Sequence, residues 1–191
     1  MELFATVGVH LTEADCVETM GIRIDEVVAL RAPHADQARL AQAMVDRVIE
    51  LVKERGKALP GSRETLERIQ HLGIPCGLAT SSGYDLLNAT LETLGFRDFF
   101  QIVHSAQDEV LGKPHPSVYL EAAKKLGVAP QHCLAIEDSV NGLVSAKAAR
   151  MDVVAIPEAQ FRRDRRFGLA NWQFDTLFDF SNQMPDRYQR N

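Results

Sequence analysis

Three short polar segments, each placed where an apolar or turn-rich run ends, carry residue types suited to phosphate and metal chemistry. They are Thr80-Ser81-Ser82, Lys113 within Gly112-Lys113-Pro114-His115-Pro116, and Glu137-Asp138-Ser139. Hydroxyls at the head of a helix combine with its free N–H groups to hold an anion. Ser82 taken alone would equally serve as a helix cap. A lysine between prolines is a point charge on a stiffened backbone, able to neutralise phosphate oxygens. Taken alone, Lys113 would equally be a surface lysine in a capping loop, and His115 reads as a loop residue rather than a general base. Adjacent carboxylates repel unless a cation offsets them, and a hard, oxygen-seeking ion such as Mg2+ is the natural partner for Glu137 and Asp138.

These segments need a scaffold that brings them together, and the pattern around them supplies one. From Pro60 onward, helix and strand alternate: helices over about 62–72, 84–94, 116–126 and 140–149, with strands over 75–80, 101–104, 133–136 and 153–156. Alternation of this kind predicts an α/β fold, a parallel sheet covered by helices, with its ligand site outside the carboxyl ends of the strands. The strands are short and apolar, as expected when both faces are buried. Gly73, Gly95 and Gly127 each close a predicted helix. Before Pro60 the chain reads as helix only, with Leu40, Met44, Val48, Leu51 and Val52 on a 3.6-residue period and a break near Pro33 that lets the next helix start near Asp36. The expected organisation is a helical module over 1–58, an α/β core over 59–182 and a polar, frayed tail over 183–191.

Composition narrows the class. The net charge is −5, and the one basic cluster, Arg162-Arg163-Asp164-Arg165-Arg166, is interrupted by an acid and reads as a solvated loop. No nucleic-acid partner is expected. No apolar run approaches the roughly 18 residues of a membrane span, and the acidic start Met1-Glu2-Leu3-Phe4 does not read as a signal peptide, so a soluble cytoplasmic protein is expected. Cys16, Cys76 and Cys133 lack metal-like spacing, and the latter two read as small core residues.

The combined motifs resemble the haloacid dehalogenase superfamily, in its beta-phosphoglucomutase-like branch and near its sugar-phosphate and hexitol-phosphate phosphatases. Thr80 in Leu78-Ala79-Thr80-Ser81-Ser82 is similar to the second motif of that family, Lys113 to the third, and Glu137-Asp138 in Ile-Glu-Asp-Ser-Val-Asn-Gly to the fourth. The resemblance implies a Rossmann-like core with an N-terminal helical cap. It also implies a Mg2+-dependent phosphatase of a small sugar or polyol phosphate, with Thr80 and Lys113 as catalytic residues. Thr80, Ser81, Ser82 and Lys113 would hold phosphate, Glu137 and Asp138 the metal, and Arg23 in Gly21-Ile22-Arg23-Ile24-Asp25 would reach the substrate from the cap. The alternatives are a phospholigand-binding protein without turnover and a sugar-phosphate mutase. Family members begin with a strand ending in Asp-x-Asp, whose first aspartate attacks phosphorus, and that motif does not occur in this sequence. In the family fold this strand lies between the one ending at Thr80 and the one ending at Glu137, so a gap is expected at the centre of the sheet. The expectation is therefore a chain that starts inside the first cap helix and is inactive as written; oligomeric state is left open.

Overall fold

Strand and helix alternate from Ser62 to Asn182 in a computed structural model that describes residues 1–184 and 188. Four helices come first: α1 (Glu2–Ala5), α2 (Glu13–Glu18), α3 (Ile24–Arg31) and α4 (Gln37–Arg55). Local chemistry fixes their starts. Thr12 and Asp15 cap each other at the head of α2, and the Asp36 carboxylate accepts from the Arg39 N–H at 3.1 Å to open α4. Phe4, Val28, Ala32 and Leu40 form the buried centre of these helices, and α4 also packs along α6 (Tyr84–Leu94).

The α/β part runs α5 (Ser62–His71), β1 (Gly77–Thr80), α6, β2 (Ile102–Ser105), α7 (Ser117–Leu126), β3 (Leu134–Glu137), α8 (Val140–Ala148) and β4 (Asp152–Ala155). Two further elements, β5 (Trp172–Gln173) and α9 (Leu177–Asn182), follow the last strand that the sequence predicts. All pairings are parallel: β1 with β2, Thr80 opposite Ser105, and β3 with β4, Glu137 opposite Ala155, with β5 beyond. Successive strand residues face opposite layers, as the two-residue period requires. Ala79 and Val153 pack with α7 and α8, whereas Leu78 packs beneath α6 and Val154 against Phe180 of α9.

β1 and β3 share no ladder. Among the described residues, β1–β2 and β3–β4–β5 are separate sheets, matching the expected gap between the strand ending at Thr80 and the one ending at Glu137. Helices α7 and α8 span both sets from one side, since a single apolar cluster holds Val118 and Ala123 of α7 with Leu143 and Ala146 of α8. The gap accounts for one departure from the sequence reading. Ile136 of β3 is 38% exposed, although a strand buried on both faces was expected there.

The tail also departs from expectation at its start. Met184 is buried against Val154 and Phe180, and the Tyr188 hydroxyl donates to Asp152 at 2.7 Å, so these positions are anchored rather than frayed. The expectation for 185–187 and 189–191 lies outside the described residues. Cys76 and Cys133 are half-buried, Cys133 packing against the main core cluster, and burial pushes the Cys76 thiol up to about 11. No helix among the described residues is long and apolar enough to cross a membrane.

Candidate active site

The carboxyl ends of β1 and β3 open onto one cavity of about 370 Å³, lined by Thr80, Ser81, Ser82, Lys113, Glu137 and Asp138. Six of the seven site residues expected from the sequence therefore meet, across the space between the two sheets. The seventh, Arg23, lies outside this lining.

At the end of β1, the Thr80 hydroxyl accepts from the Ser82 N–H at 3.1 Å, which leaves its proton available to a ligand. Ser81 is committed differently: its hydroxyl donates to the Gly21 carbonyl at 2.7 Å and ties the helical module to the cavity rim. Ser82 does not cap α6, because Gly83 is the residue at that position and no side chain caps the helix.

Lys113 and Glu137 form a buried ion pair at 2.6 Å, each side chain only 7% exposed. The Lys113 ammonium also approaches the Ala79 carbonyl at 3.4 Å and the Tyr119 hydroxyl at 3.4 Å, and it lies 4.8 Å from the centre of the Tyr119 ring. Glu137 takes further donors: the Tyr119 phenol on the oxygen that Lys113 uses, and the Ser139 hydroxyl at 3.2 Å on the other. Burial, then the Glu137 charge, push the Tyr119 phenol well above its ordinary value, so it stays a donor. Beneath the carboxylate lies Gly142, where any Cβ would land on the Glu137 carboxyl group. Ser139 completes the seat by accepting from the Gly142 N–H at 3.1 Å and thereby capping α8.

Asp138 is the acid left open. It reaches solvent through the cavity, yet the surrounding protein still removes enough water to push its carboxyl up, and the neighbouring Glu137 adds to this while Lys113 opposes it. The two acids thus differ in role, which adjacent positions in a sequence do not reveal. Glu137 holds Lys113, and Asp138 presents its carboxylate to the cavity. Among the described residues no group of three or more His, Cys, Asp or Glu side chains forms a metal cage. A carboxylate facing an open, polar cavity nevertheless fits Mg2+, which keeps several waters and binds through one or two carboxylates plus substrate phosphate.

Arg23 follows Gly21 and Ile22 of the cavity lining but is itself held by other partners. One guanidinium nitrogen donates to the carbonyls of Glu109 at 2.8 Å and Ala106 at 3.1 Å, and the other pairs with Asp25 and Glu26. Glu26 in turn accepts from the Gly112 N–H at 3.0 Å. The arginine therefore clamps the start of α3 onto the loop that leads to Lys113. Replacing Arg23 with Ala is expected to cost about 2 kcal/mol, the scale of charged hydrogen bonds lost from a part-buried group. Denaturant unfolding measures this, and hydrogen exchange at Gly112 should quicken with it.

His115 behaves as the sequence suggests: its Nδ1 accepts from the Ser117 N–H at 3.3 Å and its carbonyl from the Ser145 hydroxyl at 2.7 Å. Tyr119 was not singled out from the sequence, and Ser139 and Gly142 stood there only as members of the acidic motif, without the roles they have around Glu137. The one available signal was Tyr119 on the apolar face of a helix, where a phenol needs a buried partner.

A parallel α/β sheet whose strand ends collect a hydroxyl, a buried lysine and an acidic pair defines a class that comparison makes specific. The haloacid dehalogenase-like hydrolase family model matches residues 9–150, and the chain belongs to that family. Hexitol phosphatase B of Escherichia coli (strain K12) is 37% identical over 187 residues, which cover 95% of this chain and 84% of that protein. Two solved structures share the fold at 24% identity. CbbY from Rhodobacter sphaeroides in complex with phosphate superposes with a TM-score of 0.80, covering 94% of this chain and 85% of its own. Beta-phosphoglucomutase from Clostridium difficile gives 0.81, covering 98% and 86%.

Proposed function

We propose that the chain supplies the phosphate- and metal-binding part of a Mg2+-dependent hydrolysis of small sugar or polyol phosphate monoesters, with the cavity between β1 and β3 as the phosphate site and the Asp-x-Asp nucleophile absent from the sequence as given. The observation that carries this reading is the convergence of Thr80, Lys113 and Asp138 on one cavity. The 37% identity to a hexitol phosphatase supports the substrate class.

In this reading the Thr80 hydroxyl, already accepting from the Ser82 N–H, donates to a phosphate oxygen. Lys113 places a fixed positive charge at the cavity floor, where low dielectric strengthens its pull on negative charge carried by the phosphoryl oxygens. Tyr119 and Ser139 hold Glu137, which holds Lys113, so this charge needs little rearrangement when a ligand arrives. Asp138 would hold Mg2+, with Glu137 behind it, and the ion when bound would neutralise phosphate oxygens.

Because the sequence contains no Asp-x-Asp, a second reading stands beside the first: binding of phosphorylated ligands without turnover. Phosphate release from a panel of hexose and hexitol phosphates under Mg2+ separates the two. Binding is tested for both by 31P NMR titration of inorganic phosphate with and without Mg2+. Thr80→Ala is expected to weaken phosphate binding by about tenfold, the value of one charge-assisted hydrogen bond, while Mg2+ still strengthens it. In Asp138→Asn the Mg2+ effect should vanish. Identical behaviour of the two variants would contradict the division of roles.

A further inference from the structure

A second crevice, of about 50 Å³, opens beside the main cavity and shares Asp138 and Ser139 with it. One wall is the end of α2 with its following turn, at Glu18 and Met20. The opposite wall is the loop after β4, at Phe161, Asp164, Arg166 and Phe167. This loop belongs to the basic cluster that reads from sequence as solvated, and it is more ordered than that. Asp164 caps a short turn by accepting from the Arg166 N–H at 2.9 Å, and its carboxylate is gripped by the Arg166 side chain, Nε at 3.0 Å and Nη2 at 2.5 Å. Asn141 braces the first wall by donating to the Met20 carbonyl at 2.8 Å.

We propose that this crevice is the subsite for the uncharged, hydroxyl-bearing tail of the phosphate monoester, and that Arg166 and Asp164 are its specificity-determining pair. The proposal rests on the reading of the main cavity as the phosphate site. A hydroxyl is donor and acceptor at once, and the locked pair offers guanidinium N–H groups beside carboxylate lone pairs, as neighbouring hydroxyls require. Phe161 and Phe167 supply apolar surface for the C–H groups between those hydroxyls. Charge sets what is refused. The walls carry three carboxylates, Glu18, Asp138 and Asp164, against the single guanidinium of Arg166. Glu18 is itself paired with Arg31 at 2.5 Å. With Arg31 on Glu18, Arg166 on Asp164 and Mg2+ on Asp138, every charge on the walls is matched, so a second anionic group on the ligand finds no free cation there, whereas a neutral polyol arm needs none. The volume has room for about three or four water-sized groups, so it takes the end of a polyol arm rather than all of it.

The test is isothermal titration in Mg2+ with three ligands that are not hydrolysed: inorganic phosphate, the methylene-phosphonate analogue of sorbitol 6-phosphate, and 3-phosphonopropionate, whose tail is a carboxylate. The expected wild-type result is a preference of about tenfold for the hexitol analogue over phosphate, the scale of one or two hydrogen bonds to charged groups. In Arg166→Met that ratio should fall to near one. Asp164→Asn keeps the turn cap but leaves Arg166 without its counter-charge, so affinity for 3-phosphonopropionate should rise severalfold relative to phosphate. An Arg166→Met protein that retains the hexitol preference would overturn the subsite, as would an Asp164→Asn protein with no gain for the carboxylate ligand. If inorganic phosphate itself fails to bind, the reading of the main cavity fails and the subsite falls with it.

Discussion

Lys113→Met is expected to lower unfolding free energy by about 3 kcal/mol, the low end of the range for leaving one partner of a buried ion pair alone. The low end applies because Glu137 keeps two donors, Tyr119 and Ser139, after the ammonium is gone. For a chain of this size the loss corresponds to about 6–12 °C in Tm. The comparison that gives the number meaning is the double variant Lys113→Met/Glu137→Gln. With no stranded charge it should recover most of the stability, since a neutral replacement of a buried pair is often nearly neutral in cost. Both proteins should have lost phosphate binding. Stability and binding then separate: the pair is held for its positive charge beside the cavity, and the fold tolerates its absence provided both members go. A Lys113→Met variant within about 1 kcal/mol of wild type would mean that water reaches the pair, since exposed pairs contribute no more than this.

The sequence makes some of this visible and hides the rest for definite reasons. β1, β2 and β3 are four-residue runs with an apolar start and a polar end, β4 is the apolar run Val-Val-Ala after Asp152, and each helix between them carries a 3.6-residue pattern, so their alternation could be read directly. β5 spans only Trp172–Gln173, too short to show any period, and its place is set by hydrogen bonds to β4. Thr80, Lys113 and Asp138 were legible because the end of a parallel strand is where ligands collect. The division of labour between Glu137 and Asp138 was not, because it depends on Lys113 and Tyr119 arriving from 24 and 18 residues away. Arg23 shows the same limit. Its type suggests an anion ligand, but it is shared between the Asp25 and Glu26 carboxylates and backbone carbonyls in a loop more than 80 positions distant.

Asp138→Asn should reverse its rank against wild type according to whether Mg2+ is present. The Asp138 carboxyl is pushed above its ordinary 3.8, first by burial and then by Glu137. The folded protein therefore holds this proton more tightly than the unfolded chain does. The resulting penalty on stability begins as pH rises through the ordinary value and is complete above the raised one. At neutral pH without a cation the wild type carries all of it, and the asparagine variant carries none. The variant should melt higher by about 2 °C, a gain held down because solvent in the cavity screens the two carboxylates. With Mg2+ at about 100 times its Kd the wild type gains about 2.7 kcal/mol through mass action, and the variant gains nothing. The order of the melting curves then inverts. As pH falls through the raised value, the wild-type gain should fade as well, because protonation removes the charge that the ion needs. Melting curves at two pH values, with and without Mg2+, read all of this without a substrate. An equal Mg2+ shift in the two proteins would take Asp138 out of the metal site and leave its raised carboxyl without a cation to explain it.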